Sequence, residues 1–160
     1  MFHIILFSPQ IPPNTGNIIR LSANVGAALH LIEPLGFRLN EKSCRRAGLD
    51  YHALTNLSLH KNLDDCIASL DTARLFAITS RGTVSVFESQ FAPGDAFLFG
   101  SETAGLPDAV HARFGESQKL RLPMIAGNRS LNLANAAAIV VYEACRQTGF
   151  TVAGEDLKFV

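Results

Sequence analysis

Five short runs rich in apolar, β-branched or aromatic residues punctuate the chain: Phe2–Phe7, Ala28–Ile32, Arg74–Thr79, Ala96–Phe99 and Lys119–Leu122. Most are continuous rather than alternating, which is the pattern of strands covered on both faces. Helical spacing lies between them. It is clearest over Asn62–Leu70, where Leu63, Cys66, Ile67 and Leu70 recur at i, i+3, i+4 and i+7, and Asp64 and Asp65 favour the first turn. Strand and helix alternate, which predicts an α/β domain with a mainly parallel sheet and helices on both faces. Weaker patterns predict further strands at Leu54–Leu59 and Val84–Phe87, the second ahead of a turn at Ala92-Pro93-Gly94-Asp95.

Leu131–Gln147 carries the strongest helical signal, with Gly149 as its expected carboxy-terminal cap and Arg146 placed to complement the dipole. From Leu133 to Cys145 only Asn135, Tyr142 and Glu143 carry polar groups, so this helix needs burial on more than one side. Two environments satisfy it: the centre of a monomer's core, or a position between the core and a second subunit. Phe150–Val160 reads as a short tail without a clear element.

A length of 160 residues fits one domain, 1–160, with room for a single core. With 48% hydrophobic residues, 18% charged, and 14 basic against 14 acidic side chains, the chain is neither a disordered tail nor a basic clamp by bulk charge. Any charge-driven function must come from local patches. The longest nearly apolar stretch, Leu133–Tyr142, has about half the length that a membrane-crossing helix needs, and Met1-Phe2-His3-Ile4 lacks the pattern of a secretory signal. A cytoplasmic protein is expected. The cysteines Cys44, Cys66 and Cys145 and the histidines His3, His30, His52, His60 and His111 show no disulfide or ligand-pair spacing, so neither a disulfide nor a metal site is expected.

No GxGxxG, GxxxxGK[ST] or GxSxG occurs in the chain. Polar and backbone-permissive residues gather instead after predicted strands, where open α/β sheets hold their ligands. The first cluster is Pro12-Pro13-Asn14-Thr15-Gly16-Asn17-Ile18-Ile19-Arg20. Asn14 or Thr15 can cap a helix there, and Arg20, about one turn in, can reach an anion. The second, Phe97–Pro107, holds Gly100, Gly105 and Glu102; its glycines permit backbone contact with a ligand, and the carboxylate could accept from ribose hydroxyls or an amine. The third, Leu120–Leu133, offers Gly127, Asn128, Ser130 and Asn132 between a strand and a helix start.

Together the segments Asn14–Arg20, Phe99–Pro107 and Arg129–Leu133 resemble the three motifs of the SPOUT class of S-adenosylmethionine-dependent RNA methyltransferases. The match is closest to the small single-domain members that 2′-O-methylate the wobble nucleotide of certain leucine tRNAs, and Leu31–Phe37 and Arg45–His52 also look like that group. The resemblance extends to about Phe150. Ala134 stands where the family often has serine, and Ala126-Gly127-Asn128 is a variant loop.

The resemblance implies a carboxy-terminal trefoil knot, S-adenosylmethionine bound bent in the knot loops without a metal, and a homodimer whose active sites are completed across the interface. It implies that Ile78, Gly100, Leu122, Ser130 and Leu131 line the cofactor pocket and that Arg20 is the catalytic residue at the ribose. Because a free guanidinium stays protonated, Arg20 suits phosphate positioning and charge stabilisation better than proton removal, with Asn14 or a water assisting. The cations Arg38, Lys42, Arg45 and Arg46 form a local patch, and the resemblance points to Arg45 and Arg46 as tRNA contacts. Tyr51 and Tyr142 are further candidates for stacking or an interface. Two other functions remain in view: the same chemistry on ribosomal RNA, and a non-catalytic RNA- or nucleotide-binding module. Intact Arg20 and the third motif argue against the module.

Overall fold

A computed structural model describes residues 1–38, 56–70, 74–152 and 155–157. Strands β1 (His3–Phe7), β2 (Ala28–Ile32), β3 (Leu57–His60), β4 (Leu75–Ile78), β5 (Val84–Ser85), β6 (Ala96–Phe99) and β7 (Lys119–Arg121) form one seven-stranded sheet in the order β3-β2-β1-β6-β4-β7-β5. Every pairing in it is parallel. The α-helices among the described residues are α1 (Pro12–Val25), α2 (Leu63–Ala68), α3 (Asp108–His111) and α4 (Leu133–Gln147). In the tail, where the sequence suggested no element, β8 (Thr151–Val152) pairs antiparallel with β9 (Glu155–Asp156). Because β7 lies between β4 and β5, chain that follows β6 enters a part of the sheet laid down earlier. The trefoil knot implied by the resemblance would use a path of that kind.

The continuous apolar runs are explained by cover on both faces of the sheet. Ile4 and Leu6 of β1, Leu29 and Leu31 of β2, and Phe97 and Phe99 of β6 face α1 and α4, meeting Ile18, Ile19, Ala137, Val140 and Val141. Their neighbours Ile5, Ile32, Ala77 and Leu98 point the other way and meet Leu63 and Cys66 of α2 and Val110 of α3. On the first face, Phe91 stands edge-on to Phe97 with ring centroids 5.1 Å apart, an arrangement that rings of this quadrupole favour.

Element boundaries depart from the sequence reading where local chemistry overrides pattern. Helix α1 starts at Pro12 with Ile11 as its cap residue and no side-chain cap bond, so Asn14 and Thr15 are buried inside the helix rather than capping it. Two prolines explain the early start, since each fixes a helical φ and lacks the N–H that the first turn would leave unpaired. Val84–Phe87 shortens to β5 followed by a turn of 3-10 helix at Val86–Glu88. The Leu54–Leu59 strand is found at Leu57–His60, with its first two residues outside the described ones. The expected helix Asn62–Leu70 is α2, capped by Asn62, whose side chain accepts from the Asp65 N–H. Asn132 caps α4, and Gly149 takes a left-handed φ of 70° just beyond it, the conformation a glycine adopts at no steric cost.

Helix α4 buries Leu133, Ala134, Ala137, Val140, Val141, Ala144 and Cys145 within its own chain, leaving Asn135, Ile139, Tyr142 and Arg146 along an exposed stripe. Glu143 is buried yet paired. Its carboxylate accepts from Nε of Arg146 at 2.8 Å and from Nε2 of Gln147 at 2.8 Å. Gln147 in turn donates to the Ser89 carbonyl and accepts from the Phe91 N–H, strapping α4 to the segment before β6. The bonds from Arg146, then Gln147, hold the Glu143 carboxyl down at about 2. A carboxyl lowered on folding stabilises the protein above its unfolded-state range and loses that contribution as pH falls toward the folded value. Glu143→Gln should therefore be less stable than the parent near neutrality, with the gap in urea midpoint closing as pH drops from the ordinary glutamate range to about 2.

Candidate functional site

An all-parallel sheet sends the loops after its strands to one edge, and here four of them meet. The start of α1 follows β1; Ile78-Thr79-Ser80 closes β4; Gly100–Leu106 follows β6; and Leu122–Asn132 joins β7 to α4. They enclose a cavity of about 610 Å³. Ile78, Gly100, Leu122, Ser130 and Leu131 all lie on its wall, and so do Asn14, Glu102, Arg129 and Asn132. Arg20 is not among the lining residues. It is exposed on α1, about two turns from the helix start rather than one, because the helix begins at Pro12.

The walls are joined by a chain of hydrogen bonds. Glu102 accepts from the Gln10 N–H at 2.8 Å, the Ile11 N–H at 3.2 Å and the Asn14 amide at 3.0 Å. Asn14, itself only 6% exposed, accepts through Oδ1 from the Asn132 amide at 2.8 Å. Asn132 then accepts through its own Oδ1 from the Ala134 N–H at 2.9 Å, capping α4. Burial disfavours ionisation of Glu102, but the bonds from Gln10, Asn14 and Ile11 outweigh it and hold the carboxyl below its usual range. Glu102 is thus engaged by donors of its own chain, two of them backbone N–H groups at the start of α1, where a negative charge complements the helix dipole. The sequence offered Glu102 as an acceptor for ribose hydroxyls or an amine; the structure adds that it also fastens the start of α1.

Gly100, on the cavity wall, has a second reason beside the one its sequence suggested. A Cβ there would come within 2.2 Å of the Gly105 carbonyl carbon and 2.4 Å of the Leu106 nitrogen. The absent side chain makes room for the loop's own backbone, which folds back so that Ser101 and Gly105 exchange backbone hydrogen bonds, with Gly105 at a left-handed φ of 68°. The sequence offered Asn14 as a cap or a catalytic aid and Asn132 as a polar group of the third loop, but not the bond between them, and it gave Arg129 no role of its own. Asn132 had a usable signal, an asparagine directly before the apolar helical run. Arg45, Arg46, Lys42 and Tyr51 lie outside the described residues, while Arg38 and Tyr142 are exposed.

Residues 1–142 match the model of the SpoU rRNA Methylase family. A protein of Burkholderia ambifaria named tRNA (cytidine(34)-2'-O)-methyltransferase is 57% identical over 152 residues, covering 94% of this chain and 97% of the relative. One of the same name from Escherichia coli is 47% identical over 150 residues, covering 94% and 96%. A solved structure described as giving insights into the 2-OH methylation of C/U34 on tRNA shares 45% identity at a TM-score of 0.85, covering 94% of this chain and 98% of its own. The SpoU methyltransferase AviRb of Streptomyces viridochromogenes, solved in complex with the cofactor AdoMet, shares 27% identity at a TM-score of 0.78, covering 91% and 57%.

The bonded chain predicts its own perturbation. Asn14→Leu keeps the branched shape but removes the bonds to Glu102 and to the Asn132 amide, both nearer solvent than Asn14. It should cost about 1–3 kcal/mol in urea unfolding.

Proposed function

The chain belongs to the SpoU rRNA methylase family, and on that premise we propose that it methylates the ribose 2′-oxygen of the wobble nucleotide, position 34, of tRNA, using S-adenosylmethionine. One observation carries the reading: three motif loops, far apart in sequence, converge on one cavity and are fastened there by Glu102, Asn14 and Asn132. The cavity fits the cofactor. Its volume of about 610 Å³ lies within the range of small-molecule sites, roughly 300–1,000 Å³. Ile78 and Leu122 offer apolar walls to an adenine ring, while the loops at Gly100 and Ser130–Leu131 bring backbone donors and acceptors to its polar edge.

S-adenosylmethionine supplies a methyl group on a positively charged sulfonium, already activated, so the transfer itself asks for no metal. What remains for the protein is alignment of the 2′-oxygen, stabilisation of the negative charge that grows on it, and a route for its proton. Asn14 cannot take that proton, since both ends of its amide are engaged with Glu102 and Asn132. Arg20, as a guanidinium, cannot either. The proton passes to water, and Arg20 holds the adjoining phosphate and the developing charge.

Arg20 lies outside the lining of its own cavity, and α4 exposes Ile139 at 38% and Tyr142 at 47%. Both facts support a homodimer in which Arg20 serves the cavity of a second copy. Arg45 and Arg46 are assigned to tRNA phosphates, leucine tRNAs are the proposed substrates, and the cytoplasm is the proposed compartment. Among the described residues no helix is long and apolar enough to cross a membrane.

Arg20→Ala should bind S-adenosylmethionine normally in calorimetry yet transfer methyl groups at least 100-fold more slowly, with little rescue by Arg20→Lys, which lacks the planar fork. Mixing Arg20→Ala with a cavity-blocked variant, Leu122→Arg, should restore part of the activity, because mixed dimers regain one whole site. No recovery from dimers shown to exchange would place Arg20 in its own chain's site. Ile139→Asp combined with Tyr142→Asp should sediment as a folded monomer, whereas charge at fully buried Val141 would unfold the chain instead.

A further inference from the structure

Away from the cavity, three histidines stand side by side across the edge of the sheet. His3 of β1, His30 of β2 and His60 of β3 are linked through ring nitrogens: Nδ1 of His3 lies 3.1 Å from Nε2 of His30, and Nδ1 of His30 lies 3.0 Å from Nε2 of His60. The parallel register explains the row. Ile5 pairs with His30 and Ile32 with His60, so each histidine sits two residues from a core residue of the α2 face, or directly opposite one. Helix α2 brings Cys66 to the same place. One ring nitrogen from each of His30 and His60 and the Cys66 Sγ all lie within 4.8 Å of one another. His30 is 7% exposed and Cys66 fully buried, while His60 is half-buried and nearer to solvent.

We propose that His30, His60 and Cys66 form a zinc site that clips edge strand β3 and helix α2 to the sheet. Two imidazoles and a thiolate are a donor set that zinc favours over harder cations. Tetrahedral zinc, with bonds of about 2.0 Å to nitrogen and about 2.3 Å to sulfur, spaces its ligand atoms roughly 3.3–3.6 Å apart; the two imidazole nitrogens stand 3.0 Å apart, and the sulfur lies within 4.8 Å of a nitrogen of each ring, so small side-chain shifts complete the site. Nδ1 of His30 turns from His60 to the metal, while its Nε2–H donates to Nδ1 of His3, fixing the tautomer as outer partners of zinc-bound histidines do. The Cys66 thiol releases its proton to solvent on binding, and water takes the fourth position. The location gives the clip a purpose. Among the described residues strand β3 ends the sheet and pairs with β2 alone, so a metal joining it to β2 and α2 secures an edge held there by one ladder of hydrogen bonds. The spacing of these residues in the chain carried no ligand signature because two neighbouring strands and a helix supply them.

The test uses the whole chain, freed of metal and titrated with cobalt(II), a spectroscopic stand-in for zinc. One equivalent should bind, giving the visible bands of a tetrahedral site together with thiolate-to-cobalt charge transfer, and zinc should displace it. Zinc should also raise the melting temperature of the parent. Cys66→Ala should lose the charge-transfer band. His60→Gln, a change at a half-buried position, should lose the tetrahedral bands and the zinc-dependent rise in melting temperature while keeping its circular dichroism. If cobalt fails to saturate at one equivalent, if Cys66→Ala keeps the thiolate band, or if His60→Gln binds like the parent, the histidines are only a hydrogen-bonded row and the site does not exist.

Discussion

The organisation of this protein depends on how one buried asparagine is satisfied. Asn14 lies inside α1 at 6% exposure and has a single amide group to place. Leaving either end unpaired in that setting would cost about 1–3 kcal/mol, more than the net worth of a typical hydrogen bond. Its nitrogen is met by Glu102 from the loop after β6, and its oxygen by Asn132 from the start of α4. Meeting both demands at once fastens together three distant segments that the parallel sheet brings to the same edge. The cavity is the space they leave.

Much of this was legible in the sequence, because the determinants are local or periodic. The apolar strands run continuously since alternate residues serve two different cores, as Ile4 and Ile5 do on opposite faces of β1. The motif clusters fall after strands because a parallel sheet leaves them no other edge. What was hidden depends on long-range partners. Nothing in Asn14-Thr15-Gly16 says that Pro12 and Pro13 have already begun the helix, which turns a candidate cap into a buried link and carries Arg20 a turn further from the loops. Gly100 likewise reads as room for a ligand alone, and the second demand on it, clearance for the carbonyl of Gly105, comes from the folded loop. The row of histidines depends on the register between strands, a property no single segment encodes.

The two faces of the sheet divide the work. The face under α1 and α4 carries the larger core and the helix start that closes the cavity, with Glu143 and Gln147 strapping α4 in place. Its outer stripe of Ile139 and Tyr142 is what remains of an unusually apolar helix once the chain's own core is filled. The opposite face holds a smaller core under α2 and α3, with the histidines and Cys66 at its edge. A function that needs stable, preformed loops on one side is compatible with a separate fastening on the other.

The central claim is that these loops direct a methyl group to one ribose. The most direct measurement supplies S-adenosylmethionine with a labelled methyl group and bulk tRNA lacking 2′-O-methylation at position 34, then maps the label by nuclease digestion and mass spectrometry. Label is expected on the ribose of nucleotide 34, where the 2′-O-methyl group blocks cleavage of the adjoining phosphodiester. Label on a base, or on a ribose elsewhere in the tRNA, would contradict the claim.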